Sequence, residues 1–290
     1  MPDDWTIGRL LQWTADYLKQ HGAETPRLDA EVLLAHARGC QRIQLYTAFD
    51  EPASEELRTK FRALVKERAE GKPVAYLVGY REFYSMNFRV TPDVLVPRPE
   101  TELLVVRLLD IAKERGAGKP IAIADVGVGS GIIAVVAAKR LSNARITALD
   151  QSREALDVAR GNAESHGVAD RIEWIQSDLF AAVPDGRKFD IVASNPPYIS
   201  EGEYQQLSKT VKDFEPRAAL VAGPRGTEVI ERLLPQAAER LNATGWLLIE
   251  VSPMIEPQVR AFVEADGRFS LEPTVKDLAG QPRVVQVRRM

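Results

Sequence analysis

Ile121-Ala122-Ile123-Ala124-Asp125-Val126-Gly127-Val128-Gly129-Ser130-Gly131 is the stretch on which the fold class turns. Its first six residues read as a short buried strand, and a helix opens beyond Gly131. Between them, glycines at 127, 129 and 131 permit a tight turn and a close approach of backbone to a ligand. Outward from this unit, short apolar runs recur at residues 145–150, 171–176, 189–194 and 246–251. Helical stretches near 131–141, 152–166 and 226–242 separate most of them. The alternation predicts an α/β fold with right-handed crossovers, a mainly parallel sheet and helices on both faces.

A glycine-rich turn from strand to helix is weak evidence when taken alone. Its Gly-x-Gly-x-Gly spacing is tighter than the dinucleotide fingerprint, and no Gly-Lys-Ser/Thr follows, which disfavours a phosphate-cradling loop. The second run ends at Asp150, about twenty residues beyond the loop, where an acidic side chain suits the two hydroxyls of a ribose. The alternative for Asp150 is a helix cap for the segment beginning at Ser152. After the third run, Asp178 can accept from an adenine amino group, with Leu179 or Phe180 against the ring; a plain loop acid is the other reading. All these loops lie at carboxyl ends of neighbouring strands, where open α/β sheets bind ligands.

The fourth run ends in Asn195-Pro196-Pro197-Tyr198. Neither proline has an N–H for a sheet ladder, and each pushes the preceding residue into extended backbone. The strand must stop there, with free carbonyls and an Asn amide held at the sheet edge. That is a receptacle for a flat –NH2 group. A turn that merely ends a strand needs neither Asn at a proline-restricted position nor an aromatic afterwards.

Upstream, residues 6–20 carry Ile7, Leu10, Leu11, Thr14 and Leu18 on a helical stripe, with Gly22 placed to end it. Thr25-Pro26 signals a second helix, with Thr25 as capping side chain, Leu28, Val32, Leu33 and His36 on one side, and Gly39 as the stop. A third, residues 54–70, presents Leu57, Phe61, Leu64 and Val65. Between residues 73 and 99 the β-prone positions Tyr80, Phe83, Tyr84, Met86, Phe88, Val90, Val94, Leu95 and Val96 predict a hairpin linker, and a further helix starts near Thr101. The expected organisation is therefore a helical domain over 1–75, a β-hairpin linker over 76–99 and an α/β domain over 100–290.

The bulk properties exclude several classes. The 290 residues are 45% hydrophobic and 27% charged, and the formal net charge is −3. No apolar run approaches the roughly 20 residues needed to span a bilayer, so no membrane association is expected. The start, Met1-Pro2-Asp3-Asp4-Trp5, does not read as a secretory signal. A single cysteine, Cys40, rules out an intramolecular disulfide framework and fits a reducing cytoplasm. The acidic balance argues against affinity built on broad phosphate neutralisation. His21, His36 and His166 fall in expected helices and, with Cys40, form no metal-ligand pattern, so no metal is expected.

Together the glycine-rich loop, Asp150, Asp178 and Asn195-Pro196-Pro197-Tyr198 resemble the S-adenosylmethionine-dependent methyltransferases of the Rossmann-like class I. The tetrapeptide is similar to that of the branch methylating amino groups on planar carriers. Three further stretches narrow the resemblance: Gly71-Lys72-Pro73-Val74-Ala75-Tyr76-Leu77-Val78-Gly79-Tyr80-Arg81-Glu82-Phe83, Val94-Leu95-Val96-Pro97-Arg98-Pro99-Glu100-Thr101-Glu102, and Lys276-Asp277-Leu278-Ala279-Gly280-Gln281-Pro282-Arg283-Val284-Val285. They resemble segments of the peptide chain release factor glutamine N5-methyltransferases, the PrmC/HemK family. Two departures stand out: Val128 where that family more often has Thr, and the segment from Glu250 to Glu256, where a Glu-hydrophobic-Gly pattern followed by Gln is usual.

The resemblance implies S-adenosylmethionine as methyl donor and the glutamine of the Gly-Gly-Gln motif in class 1 release factors as acceptor. It implies a helical domain that helps to grip this protein substrate, and no direct nucleic-acid binding. Cofactor binding is expected at Gly127, Val128, Gly129, Ser130, Gly131, Asp150, Asp178, Leu179 and Asn195. Asn195, Pro196, Pro197 and Tyr198 are expected to bind substrate, with Asn195, Pro196 and Tyr198 catalytic. Asn195 Oδ1 accepts one amide N–H, the Pro196 carbonyl the other, and Tyr198 packs over the amide plane. Arg98, Glu100 and Glu102 are read as release-factor contacts or interdomain salt links. The alternatives are a glutamine methyltransferase of a ribosomal protein and an adenine-N6 DNA methyltransferase; the latter usually carries a dedicated recognition domain and basic surface, and here no second insertion of that size is available and the charge balance is acidic.

Overall fold

Why the strand ends converge follows from sheet register. In a computed structural model, which describes residues 5–290 except residue 117, seven strands form the order β10 (Phe269–Leu271), β12 (Pro282–Arg289), β9 (Leu241–Glu250), β6 (Phe189–Ser194), β3 (Ile121–Val126), β4 (Ala144–Asp150), β5 (Ile172–Gln176), with β11 (Val275–Lys276) paired to β12. The tetrapeptide preceding Trp5, read above for signal character, lies outside the described residues. The chain divides into two compact units, one running through Tyr80 and including Ser208–Phe214, the other comprising Arg81–Leu207 and Glu215–Met290.

The first unit is helical: α1 (Ile7–Gln20), α2 (Pro26–Arg38), α3 (Arg42–Thr47), α4 (Glu55–Ala69) and α5 (Val74–Val78). Thr6 caps α1, its Oγ1 accepting from Arg9 N at 3.2 Å, and Ser54 does the same for α4 through Leu57 N. Leu11, Leu18, Leu33, Leu34, Leu45 and Phe61 are its fully buried core. Each such side chain contributes roughly 1.5–3 kcal/mol relative to exposure.

Two expectations for α2 need correction. Thr25 makes no capping bond; its hydroxyl donates to Asp29 Oδ1 at 2.9 Å. The buried face is Ala30, Leu33, Leu34 and Ala35, whereas Leu28 and His36 are exposed. The helix is rotated because two acids lie on its inner side. Arg68 Nε donates to Asp29 Oδ2 at 2.8 Å, and Glu31 accepts from Arg27, Arg42 and Tyr46. Paired in this way, carboxylates can be buried. The short α3, opened by a Gln41/Gln44 capping box, was not foreseen.

The second unit begins with the hairpin β1 (Tyr80–Phe83) and β2 (Met86–Arg89). Tyr84 and Ser85 have φ 53° and 56°, the left-handed pair of a two-residue hairpin turn, and Tyr84 N donates to Glu102 Oε1 at 2.9 Å. Phe83 and Phe88 are buried in the core of this unit, so the hairpin is packed into it. Val94, Leu95 and Val96 extend no strand; Val94 and Val96 are buried within irregular backbone.

There follow α6 (Thr101–Glu114), β3 (Ile121–Val126), α7 (Ile132–Arg140), β4 (Ala144–Asp150), α8 (Arg153–Ser165), β5 (Ile172–Gln176), β6 (Phe189–Ser194), β7 (Ile199–Ser200) and α9 (Glu201–Tyr204). After α10 (Lys209–Phe214) of the first unit come β8 (Val221–Gly223), α11 (Glu228–Arg240), β9 (Leu241–Glu250), α12 (Glu256–Asp266), β10 (Phe269–Leu271), β11 (Val275–Lys276) and β12 (Pro282–Arg289). β3, β4, β5, β6 and β9 run parallel, and β12 lies antiparallel to β9. Alternate residues enter opposite cores: Ile121 and Ile123 on the side of α6, α7 and α8, Ala124 and Val126 on the side of α11 and α12. The α/β class with helices on both faces is as expected.

From β3 the strand order runs outward in both directions, through β4 on one side and β6 on the other. Val126 is level with Leu149 of β4 and with Ser194 of β6. The loops after these three strands therefore share one edge at the topological switch point.

Candidate functional site

The glycine-rich loop is fixed by backbone bonds of its own. Gly127 N and Val128 N donate to Leu149 O at 2.8 and 3.0 Å, and Gly131 N donates to Val128 O at 2.8 Å. Gly131 has φ 86°, and a Cβ there would stand 3.0 Å from Ala159 Cβ, so only glycine lets α8 pack this closely. Gly129, at φ 52°, would aim a Cβ into open space. At Gly129 the loop therefore carries no side chain and has room beside its backbone.

Asp150 binds this loop directly. Its Oδ2 accepts from Gly129 N at 3.0 Å and its Oδ1 from Ser152 N at 2.9 Å. The cap of α8 is Ser152, whose Oγ accepts from Ala155 N at 3.0 Å, so Asp150 is not that cap. Burial pushes the Asp150 carboxyl up, and the N–H groups of Gly129, Ser152 and Gln151 oppose the shift. One bond on each oxygen leaves lone pairs for a ligand. Behind it, wholly buried Asp125 accepts from Ala134 N at 2.9 Å through Oδ2, while Oδ1 has no partner. Asn162 clamps the loop from α8, donating to Ser130 O at 2.8 Å.

A cavity of about 390 Å³ opens above these strand ends. Gly127, Val128, Gly129 and Ser130 form one wall with Asp150, and Asp178 and Leu179 stand beside it. Asn195, Pro196 and Pro197 also line it, and a Cβ on Gly127 would stand 3.7 Å from Asn195 O. Gly131 and Tyr198 do not line it. The Asp178 carboxylate pairs with Arg232, both side chains being about half exposed. Leu179 adopts φ 51° and reaches the cavity, whereas Phe180 is buried against Phe189 with ring centroids 5.9 Å apart. Of the two hydrophobes read as ring contacts, only Leu179 is in place for it.

Asn195 Nδ2 donates to Thr101 Oγ1 at 3.2 Å. Ser194 Oγ donates to Val126 O at 2.7 Å, holding the end of β6 against β3. Tyr198 differs from the expectation of a ring over the cavity. Its ring packs against the apolar core, and its hydroxyl lies 3.5 Å from Glu250 Oε1. Burial, with the charge of Glu250 added, pushes the phenol well above its ordinary range. Gly226 backs the tetrapeptide: at φ 82°, a Cβ there would fall 2.8 Å from Tyr198 O.

The chain is 51% identical, over 98% of its length and 97% of the relative's, to the release factor glutamine methyltransferase of Rhodopirellula baltica. The chain belongs to the release factor glutamine methyltransferase family. The Geobacter sulfurreducens member is 42% identical, over 86% of this chain and 85% of its own. The Koribacter versatilis member is 38% identical, over 98% and 99%. Family profiles match the PrmC N-terminal domain at residues 9–79 and the methyltransferase small domain at 100–219. The protein is accordingly a methyltransferase. Among solved structures, a ribosomal protein L11 methylase of Lactobacillus delbrueckii shares 23% identity at TM-score 0.50, covering 72% of this chain and 90% of its own. A Thermus thermophilus 16S rRNA methyltransferase, in complex with AdoMet and guanosine, shares 17% at 0.53, covering 73% and 50%. Both likenesses concern the class I methyltransferase fold.

In this member of the family, Val128 lines the cavity, and its backbone N–H donates to Leu149 O. The residues read as release-factor contacts or interdomain links bind within the second unit. Arg98 donates to Glu215 Oε1 at 2.6 Å, Glu100 lies 3.9 Å from Arg283, and Glu102 holds Tyr84 N. Glu215 also accepts from Val96 N at 3.2 Å, so the Arg98 and Pro216 segments form one cavity wall. Thr101, Glu215, Gly226 and Glu250 escaped notice as site residues because no local spacing marks them. Among the described residues no helix is long and apolar enough to cross a membrane, and no group of three or more His, Cys, Asp or Glu is placed to hold a metal ion.

Proposed function

We propose that the chain transfers a methyl group from S-adenosylmethionine to the side-chain amide nitrogen, N5, of the glutamine in the Gly-Gly-Gln motif of class 1 peptide chain release factors. The observation that carries the chemistry is the bond from Asn195 Nδ2 to Thr101, which commits the donor end of the amide and leaves Oδ1 as the acceptor at the cavity wall. Full-length likeness to the relatives named for release factors supports the acceptor.

The residues fit such a cofactor. The loop from Gly127 to Ser130 would receive it, Asp150 would take the ribose hydroxyls through its remaining lone pairs, and Asp178 and Leu179 would meet the adenine. When bound, S-adenosylmethionine supplies an electrophilic methyl on its sulfonium. Asn195 Oδ1 accepts one N–H of the substrate amide and the Pro196 carbonyl accepts the other. Held by both hydrogens, the nitrogen presents its lone pair in one direction. Such positioning is worth roughly 7–11 kcal/mol when reactants are well oriented. Pro197 walls the cavity, and Tyr198 braces the tetrapeptide from behind. No strong base is required, because a protonated N-methylated amide is itself very acidic.

The helical unit would help to grip the release factor, and the net charge of −3 favours a protein over a nucleic-acid partner. A single cysteine accords with a cytoplasmic enzyme. Incubation of the purified chain with S-adenosylmethionine and a release factor, followed by peptide mass spectrometry, tests the reading. One methyl group on the Gly-Gly-Gln glutamine, absent in its Gln-to-Ala variant, is expected. Methyl transfer to DNA or to a ribosomal protein instead would overturn it.

A further inference from the structure

The adenine, ribose and methyl of the proposed cofactor have places in the cavity, but its charged aminoacyl end is still unassigned. That end carries an α-carboxylate, which is best met by a cation with hydrogen-bond donors. Among the described residues lining the cavity, the cations are Arg98 and Arg232. Arg232 is already paired with Asp178, the acid assigned to the adenine. The remaining charged residues of the lining are acids, Asp93, Asp150, Glu154 and Asp178. A carboxylate placed beside any of these would be repelled.

Arg98 belongs to the end of the cavity where the methyl is transferred. Its carbonyl oxygen accepts from Thr101 N at 3.2 Å, and Thr101 Oγ1 accepts from Asn195 Nδ2 at 3.2 Å. Pro97 and Pro99 restrict the backbone on either side of it. Arg98 Nη2 donates to Glu215 Oε1 at 2.6 Å, and Glu215 Oε2 accepts from Val96 N at 3.2 Å. The Glu215 side chain is 1% exposed, so one buried carboxylate grips residues 96 and 98 together. The Arg98 side chain is itself 34% exposed, and Glu215 engages only one of its several N–H donors.

We infer that Arg98 binds the α-carboxylate of S-adenosylmethionine, its guanidinium held in place by Glu215. This rests on that cofactor occupying the cavity as proposed. Three branches leave the sulfonium. With the adenosyl branch along Asp150 and Asp178 and the methyl towards Asn195, the short aminoacyl chain is left for the wall that carries Arg98. A planar guanidinium fork matches a carboxylate, and a guanidinium already anchored loses little freedom on binding it.

The test reads affinity, by titration calorimetry of S-adenosylmethionine and of decarboxylated S-adenosylmethionine. The analogue keeps the adenosyl group, the sulfonium and the amine, and lacks the carboxylate. The wild type should bind the parent about ten- to a hundredfold more tightly, the range for a hydrogen bond to a charged group. Arg98→Met combined with Glu215→Gln removes both members of the pair and leaves no buried charge alone. This variant should bind the two ligands within about twofold of each other, with the analogue's Kd near its wild-type value. Arg98→Lys, which keeps Glu215 paired but loses the fork, should lower the discrimination about three- to tenfold. A wild type that does not discriminate, or a ratio unchanged in either variant, would overturn the inference. Equal weakening of both ligands leaves the ratio unchanged and would assign the pair a structural role only. A wild type that binds neither ligand refutes the cofactor, and the inference with it. No acceptor enters these titrations, so absence of release-factor methylation would count against the proposed function alone.

Discussion

Asp150 Oδ2 accepts the Gly129 N–H at 3.0 Å, so the acid at the end of β4 and the glycine-rich loop after β3 form one unit. The contact sets both groups before any ligand arrives, and it uses a loop N–H that would otherwise stay unpaired. Asp150→Ala is expected to weaken S-adenosylmethionine binding roughly five- to 150-fold, by about 1–3 kcal/mol, through the lost ribose acceptor and the freed Gly129 N–H. Titration calorimetry measures the affinity, and an unchanged circular dichroism spectrum would show the fold intact.

Asn195 touches the cavity through a side chain whose far end is bonded to Thr101. Asn195→Ala should reduce kcat about a hundred- to a thousandfold, in the range found when one preorganised polar group is removed from a reacting centre. Cofactor affinity should change little. Turnover near that of the wild type would remove the mechanism.

Gly226 combines φ 82° with only 2.8 Å between a would-be Cβ and Tyr198 O. Gly226→Ala must therefore strain its own backbone and displace the tetrapeptide. A stability loss of about 1–3 kcal/mol is expected, readable as a lower Tm, together with a fall in kcat at saturating cofactor. A loss of stability with kcat preserved would show that the loop supports the fold and not the geometry of Asn195 to Tyr198.

Asp125 has its carboxyl pushed up to about 7, chiefly by complete burial and with the charge of Asp150 adding. Its unfolded-state pKa is lower, so between about pH 4 and about pH 7 the folded chain binds a proton that the unfolded chain has released. This group's contribution is therefore full at low pH and declines as pH rises through that window. Asp125→Asn, which cannot ionise, should gain on the wild type between about pH 5 and about pH 8, by an amount on the order of a few kcal/mol. Paired thermal melts at the two pH values check the sign.

Much of the site was legible because its chemistry is local. Three glycines after an apolar run, an acid at the next strand end and two prolines closing a strand each state a backbone constraint within a few residues. The errors arose where partners lie far along the chain. The face of α2 was misjudged because Arg68, 39 residues from Asp29, makes a buried acid tolerable. Arg98 was read as a release-factor contact or an interdomain link, because its partner Glu215 lies 117 positions away. Tyr198 was given the cavity because its neighbours in sequence line it, whereas Glu250 and the apolar core hold it behind.

From the order of residues alone came the α/β class, the loop that meets a ligand and the Asn-Pro-Pro-Tyr strand ending, since these depend on φ, ψ and hydrogen-bond donors within single segments. The resemblance of whole stretches to one family named the expected acceptor. What needed the folded chain was the orientation of Asn195. Thr101 lies 94 residues from it, and Glu250 lies 52 from Tyr198. Parallel register brings those strand ends level, and burial then forces each polar group to find the partner beside it.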